Sequence, residues 1–356
     1  MTGTGLDTSR SPLSGALDTE GMLDAVASLP EQVIAAIEAS RGLDGLPERE
    51  AIEQVVVLGM GGSGLAGDVL VAVAGPFLPV PVTVVKSYEL PDYVGRESLV
   101  FAVSFSGDTE ETVEAAGEAF EAGASLVAVT GGGELQKLAE EWGAPVVSVP
   151  RSIPQPRCAI GAVSIPPLVV LEDMGLFPGA TEWIELAVDQ LARRREQLLS
   201  PGSDAERIAG RIGRTIPLFY GAQAVGATAA LRWKNQVNEN AKSPAFWSVY
   251  PELGHNELAG WGQLGDVTRQ VVTLVNVRHD AEHPQVARRF EIVTEMLREV
   301  MADVIEVRAQ GEGDLAQLLD LAFIGDFVSL HLAAAEGVDP GPIPALVELK
   351  QRLRSA

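Results

Sequence analysis

A single cysteine, Cys158, stands in a chain of 356 residues. That excludes an internal disulfide framework and suits a reducing, cytoplasmic compartment. Basic residues are also scarce: 26 Lys and Arg face 49 Asp and Glu, for a formal net charge of −23. Such a field repels DNA, RNA and anionic membranes, so neither nucleic acid nor a membrane is expected as a partner. It leaves an anionic small molecule open, because a local nest of backbone N–H groups outweighs a distant field screened over about 10 Å. The first residues, "MTGTGLDTSRSPLSGALDTEG", lack the apolar core of a signal peptide. The longest weakly charged run, "CAIGAVSIPPLVVL", is too short to span a bilayer and contains Pro166 and Pro167. A soluble protein is expected.

What is present is apolar and periodic. Hydrophobic residues make up 46% and charged residues 21%, enough for sizeable cores over two α/β domains. Short apolar runs at 54–59, 81–87, 98–107, 125–133 and 145–150 read as strands, and helical patterns stand between most of them. The order restarts with strands at 215–221, 270–277 and 304–309 and helices at 224–241 and 285–302. This alternation predicts an α/β fold of two doubly wound parallel sheets, a repeat of topology rather than of sequence. The expected divisions are a mobile N-terminus (1–16), a first half with an N-terminal helix (17–164), a helical linker (165–204), a second half (205–312) and C-terminal helices (313–356). The linker's basic run "ARRREQ" reads as a solvated helix face.

The stretch "VVVLGMGGSGLAG" spells G-x-G-x-x-G at Gly59, Gly61 and Gly64. A dinucleotide site would also need an acid at the end of the second strand. That strand ends instead in Lys86 and Ser87, and the nearest acid, Glu89, lies beyond it. The third strand runs into "SFSGDTEET", with Ser104, Ser106, Gly107 and Thr109 ahead of a helix. Hydroxyls beside a helix N-terminus cradle phosphate, because free N–H groups and the dipole both favour the anion. N-capping explains one such residue, but not Ser-x-Ser-x-x-Thr together with the turn Gly61-Gly62-Ser63. Both turns belong at the carboxyl ends of parallel strands, the usual ligand crevice of open sheets.

Five pieces carry a resemblance: "GMGGSGLAGD", "SFSGDTEET", "PQPRCAIG", "NQVNENAKSPAFWSVYPELGHNE" and "EGVDPGPIPALVELKQRL", in order from residue 59 to residue 353. With them the chain resembles the sugar isomerase (SIS) domain family, and within it the phosphoglucose/phosphomannose isomerases. The resemblance implies two SIS subdomains and a phosphosugar in the Gly/Ser turns. It also implies aldose–ketose isomerisation of glucose 6-phosphate, with mannose 6-phosphate a further substrate, to fructose 6-phosphate. A weakly catalytic sugar-phosphate-binding regulator is the alternative. Such a regulator would need only the Gly/Ser/Thr loops.

Isomerisation through an enediolate needs a base, a ring-opening acid/base, a cation and a phosphate anchor. Glu239, between Asn238 and Asn240, is the candidate base, and the family carries its catalytic glutamate in this motif. His255, sixteen residues on, is the ring-opening candidate, with Glu252 or Glu257 free to orient it. Arg157 is the candidate cation. Gly61, Gly62, Ser63, Ser104, Ser106 and Thr109 are the candidate phosphate contacts. Lys350 matches a family lysine that reaches the substrate. Members of the family often carry Thr where this chain has Gly341, a position linked to the use of mannose phosphate. The resemblance further implies a homodimer in which His255 completes the neighbour's site. No cofactor and no metal are expected. "HDAEH" (279–283) fits a zinc-protease pattern, but it follows a strand and precedes Pro284, so a turn is the better reading.

Overall fold

A computed structural model describes residues 8–355. Two short helices, α1 (Met22–Ala27) and α2 (Leu29–Ser40), lead into β1 (Gln54–Leu58). There follow α3 (Gly61–Val73), β2 (Val82–Val85), β3 (Ser98–Ser104), α4 (Glu110–Glu121), β4 (Ser125–Thr130), α5 (Gly133–Trp142) and β5 (Val146–Ser148). Three helices cross over: α6 (Ile160–Asp173), α7 (Ala180–Leu198) and α8 (Asp204–Ile212). The second half holds β6 (Ile216–Ala222), α9 (Gln223–Asn240), β7 (Phe246–Tyr250), α10 (Gly265–Val271), β8 (Val272–Arg278), α11 (Pro284–Leu297) and β9 (Asp303–Arg308). The chain closes with α12 (Asp314–Ala335) and α13 (Pro344–Ser355).

All strand pairs are parallel, in the orders β2-β1-β3-β4-β5 and β7-β6-β8-β9. The expected pair of parallel α/β sheets is therefore present. Side chains alternate between faces, so each sheet feeds two cores. The inward set, Val55, Val57, Phe101 and Val103 with Phe219, Val275, Val277 and Ile305, joins one central core containing residues of α6, α9 and α12. The outward set of the first sheet packs with Ala115, Ala119 and Leu135, and that of the second with Phe290, Val293 and Leu297. In each sheet the chain crosses to either side of one strand, β1 and then β6. That opens a crevice at its carboxyl end.

Several local expectations change. The segment "FWSVY", outside the strands expected from the apolar runs, is the strand β7, parallel to β6 at the sheet edge. Its aromatic and β-branched residues suit a pleated, half-buried edge, and Pro244 and Pro251 only bracket it. Pro166 and Pro167 do not break α6, whose buried apolar residues hold it in the central core. The run "ARRREQ" is only partly a solvated face: Arg193, Glu196 and Gln197 are exposed, but the other two arginines are tied inward. Arg194 is buried with its Nε 3.2 Å from Asp320, and Arg195 pairs with Glu31 at 2.7 Å. Of the segment expected to be mobile, residues 1–7 lie outside the described residues, while Leu13 is buried in the core. The longest apolar helix is α12, not the run at 158–171. By length and composition it could cross a membrane, yet it is 89% buried inside the protein, with Asp320 and Asp326 each facing an arginine.

Candidate active site

The first turn is built for close approach. Gly61 has φ +51°, which favours glycine, and α3 opens there with the amides of Gly61, Gly62 and Ser63. Its first turn carries no acidic residue, whereas α4 carries Glu110 and Glu111. An anion is therefore better seated at α3, with α4 supplying hydroxyls. The two turns are tied together by the Phe105 N–H, which donates to Ser63 Oγ at 3.0 Å. Ser63 and Ser104 are both buried. Ser104 donates to Thr109 Oγ1 at 2.9 Å and accepts from the Gly107 amide at 3.1 Å. It thus braces the loop, while Ser106 is exposed and Thr109 half-buried at the loop rim.

Arg157 lies against this turn. A Cβ on Gly62 would come within 3.1 Å of Pro156 O and 3.2 Å of Arg157 N, so glycine lets the two backbones pack this closely without either shifting. The guanidinium is 3% exposed. Its Nε donates to Asn240 Oδ1 at 2.6 Å and its Nη1 to Gln155 Oε1 at 3.1 Å. Its Nη2 donates to the carbonyls of Pro340 and Gly341, both at 2.6 Å. Nη1 also stands 3.8 Å from Glu239 Oε2. With its donors this committed, Arg157 is a fixed charge rather than a free fork.

Glu239 sits in the last turn of α9, half-buried. Burial pushes its carboxyl above the ordinary glutamate value, and the nearby charges of Arg157, Arg232, Lys242 and Lys234 oppose that. Lys242 has φ +53°, and its ammonium donates to Glu239 O at 2.6 Å and Pro340 O at 3.0 Å. Burial and the Arg157 charge hold its pKa below the usual lysine value. Gly341 is buried against Glu20, whose Cγ and Cδ lie 2.8 Å from where a Cβ would stand.

Two predicted site residues do not join this cluster within the chain. His255 is exposed in a 3₁₀ turn after β7, and among the described residues no hydrogen bond or ion pair holds its ring. Neither suggested carboxylate orients it: Glu252 accepts from Asn256 at 2.8 Å, and Glu257 from the Tyr220 hydroxyl at 2.5 Å. Glu239 precedes β7 and His255 follows it. A strand of five residues spans roughly 17 Å, so the two lie towards opposite ends of the strand. Lys350 is exposed on α13, beside Leu346, Val347, Leu349 and Leu353, which are 47–63% exposed.

The pattern "HDAEH" is spoken for. Glu282 pairs with Arg278 at 2.7 Å, and His283 Nδ1 caps α11 by accepting from the Gln285 amide at 3.1 Å. No group of three or more His, Cys, Asp or Glu able to hold a metal occurs among the described residues. Reading the sequence missed Gln155, Asn240 and Lys242, although all three stand beside residues it singled out. It also missed Arg232 and Asp326, whose pairing at 2.6 Å no local pattern announces.

Two parallel sheets around one helical core, with a glycine-serine turn at a helix N-terminus next to a buried arginine and a half-buried glutamate, define a double SIS-domain protein. The SIS domain family matches residues 50–142, and the family described as bacterial phospho-glucose isomerase C-terminal SIS domain matches residues 202–353. The bifunctional phosphoglucose/phosphomannose isomerase of Caldicellulosiruptor bescii is 34% identical over 93% of this chain and 98% of its own. That of Aquifex aeolicus is 33% identical over 84% and 90%. A solved hypothetical protein from Thermus thermophilus has a TM-score of 0.71 at 19% identity, over 94% of this chain and 91% of that one, and speaks for the fold alone. The chain belongs to the bifunctional phosphoglucose/phosphomannose isomerase family.

Proposed function

We propose that the chain interconverts glucose 6-phosphate and mannose 6-phosphate with fructose 6-phosphate, using Glu239 as the proton shuttle. One observation carries the reading: Arg157 touches the Gly62 turn through its backbone and faces Glu239 through its guanidinium. Phosphate anchor, cation and base are thus joined through one residue. The names of the relatives support the substrate class.

The sugar phosphate seats its anion on the α3 amides, with Ser106 and Thr109 at the rim. Remote binding energy then fixes C1 and C2 near Glu239. The carboxylate takes the C2 proton of the open-chain aldose. The C–H pair becomes the C1–C2 double bond, and the carbonyl pair moves to O1. The proton returns to C1 while the O2 hydroxyl proton passes to O1 by exchange with solvent, so O2 becomes the carbonyl oxygen and O1 the hydroxyl. Arg157 stabilises the enediolate by its charge. Glucose and mannose 6-phosphates differ only at C2 and share one enediolate, so one base serves both where rotation about the C2–C3 bond turns either C2–H towards it. No step is routed through a metal or cofactor.

His255 is the proposed acid/base for ring opening, supplied by a second copy of the chain, and Lys350 a proposed substrate contact. The strand's length between Glu239 and His255 supports a shared site. So does α13, whose apolar residues lie open and whose segment 344–355 carries three basic residues and one acid in a chain of net charge −23. That helix is proposed to dock on the acidic surface of the partner copy. The proposed subdomain divisions remain 17–164 and 205–312, joined by 165–204. A cytoplasmic location is part of the reading, supported by the buried free thiol of Cys158. The test is a coupled assay for fructose 6-phosphate, run separately with glucose 6-phosphate and mannose 6-phosphate. No product from either overturns the proposal.

A further inference from the structure

We propose that a buried polar ladder between α9 and α12, formed by Arg232, Gln236 and Asn240 with Asp326 and Ser329, positions Arg157 against Glu239. The inference deepens the isomerase reading and rests on it for the role of Glu239.

Arg232, Gln236 and Asn240 stand four residues apart and share one face of α9. Asp326 and Ser329, three apart, share the facing side of α12. All five are at most 3% exposed. The Arg232 Nη2 donates to Asp326 Oδ2 at 2.6 Å, and Gln236 Nε2 donates to Asp326 Oδ1 at 2.7 Å. A buried ion pair is rarely more stabilising than apolar packing of the same volume, so stability alone does not account for it.

The ladder ends on Arg157 in two ways. Arg232 Nη2 also donates to the Arg157 carbonyl at 2.9 Å, which fixes the main chain beside Gly62. Asn240 Oδ1 accepts from Arg157 Nε at 2.6 Å, which fixes the side chain. The orientation of the Asn240 amide is set from α12. Its Nδ2 donates to Ser329 Oγ at 2.9 Å, and the Ser329 hydroxyl donates to Asp326 O at 2.6 Å. A reversed amide would turn an N–H towards an N–H. Every donor in this chain therefore points one way, from Arg157 through Asn240 and Ser329 to α12. None of the five need touch the sugar. They are positioning residues, and their effect must be read through Arg157 and Glu239.

The test uses Asn240→Ala, which removes the acceptor of Arg157 Nε, and Ser329→Ala, which touches Arg157 nowhere. The charges facing Glu239 are Arg157, Arg232, Lys242 and Lys234. Arg157 is the largest of them, so its displacement lets the carboxyl titrate higher. Carbon-13 NMR of the Glu239 carboxyl in the unliganded protein, assigned by its loss in Glu239→Gln, measures this without turnover. The expected result in Asn240→Ala is an upward shift of about half a pH unit or more. A fall in kcat of about tenfold, with KM within about threefold, accompanies it. Ser329→Ala shifts in the same direction by less. Where Asn240→Ala fails to fold, Ser329→Ala carries the result. A Glu239 titration unmoved in folded variants overturns the proposal, and so does a kcat loss equal at every pH. A moved titration in a protein that isomerises neither hexose phosphate leaves the ladder standing and removes the isomerase reading instead.

Discussion

The Arg157 guanidinium stands 3.8 Å from the Glu239 carboxylate, although 82 residues of chain separate them. The pair is close enough to bias the carboxyl's charge and too far apart for a hydrogen bond that would tie up the base. Replacement of Glu239 by Gln keeps the shape and removes the proton acceptor. The expected outcome is a fall in kcat of at least about a hundredfold. Sugar-phosphate binding should survive, and solvent exchange of the C2 proton should vanish with turnover. Retained exchange in Glu239→Gln would assign the base elsewhere.

The same pair sets a pH dependence. Only the ionised Glu239 accepts a proton, so activity falls as pH falls through its pKa. Burial raises that pKa above the usual 4.5, so the acidic limb of kcat should lie above the ordinary glutamate range. Arg157 opposes the rise, and its loss in Arg157→Gln should move the limb to still higher pH. The sign for stability follows: a carboxyl raised in the folded state destabilises the protein as pH climbs from the unfolded value through the folded one. A limb that moves down in Arg157→Gln contradicts the electrostatic account.

The phosphate loop separates direct contacts from braces. Ser106→Ala or Thr109→Val should raise KM about tenfold, for the loss of one hydrogen bond to a charged group of roughly 1.5–3 kcal/mol. Ser104 is fully buried and its hydroxyl is engaged with Thr109 and Gly107. Ser104→Ala should therefore lower the melting temperature as well as weaken binding. Normal KM in both rim variants would move the phosphate site elsewhere.

Much of this site could be read before the fold was seen, and the reasons are local. β1 and β3 are buried apolar runs that end in glycine and serine turns, so strand, turn and helix start all show within a dozen residues. Arg157 and Glu239 are each legible in a separate motif. Their meeting was not legible, because it depends on how α9 packs beside the 3₁₀ turn at Pro156–Cys158. The ladder was hidden for the same reason: Arg232 and Asp326 are 94 residues apart and look like ordinary helix charges. β7 was missed because five residues between prolines carry too little periodicity to outweigh the turn signal.

Gly341 offers a test of packing. The space a side chain would need there is filled by Glu20, which also accepts from Gln155 Nε2 at 2.6 Å. Gly341→Thr should destabilise by about 1–3 kcal/mol through overpacking. Adding Glu20→Ala should recover part of that loss, since the two sites share one volume. Thermal melts of both variants and the double variant check this. The ratio of mannose to glucose 6-phosphate turnover in the double variant shows whether a hydroxyl at 341 changes substrate choice. Strictly additive melts would mean that Glu20 does not fill the space.

The shared site predicts complementation between inactive chains. Glu239→Gln and His255→Ala should each be nearly inactive alone. If His255 acts in the partner's site, a mixed dimer has one site with both changes and one with neither. Equal mixing with free subunit exchange makes half of the dimers mixed, so activity should recover to about a quarter of wild type under two-fold symmetry. Removal of α13 should weaken the dimer, measured by sedimentation at falling concentration, because the interface would lose the apolar Leu346, Val347, Leu349 and Leu353. Exchange confirmed by native mass spectrometry with no recovered activity would put both residues in one chain's site. That outcome conflicts with the span of β7 between them, so it would also require the loop after Tyr250 to fold back across the sheet edge.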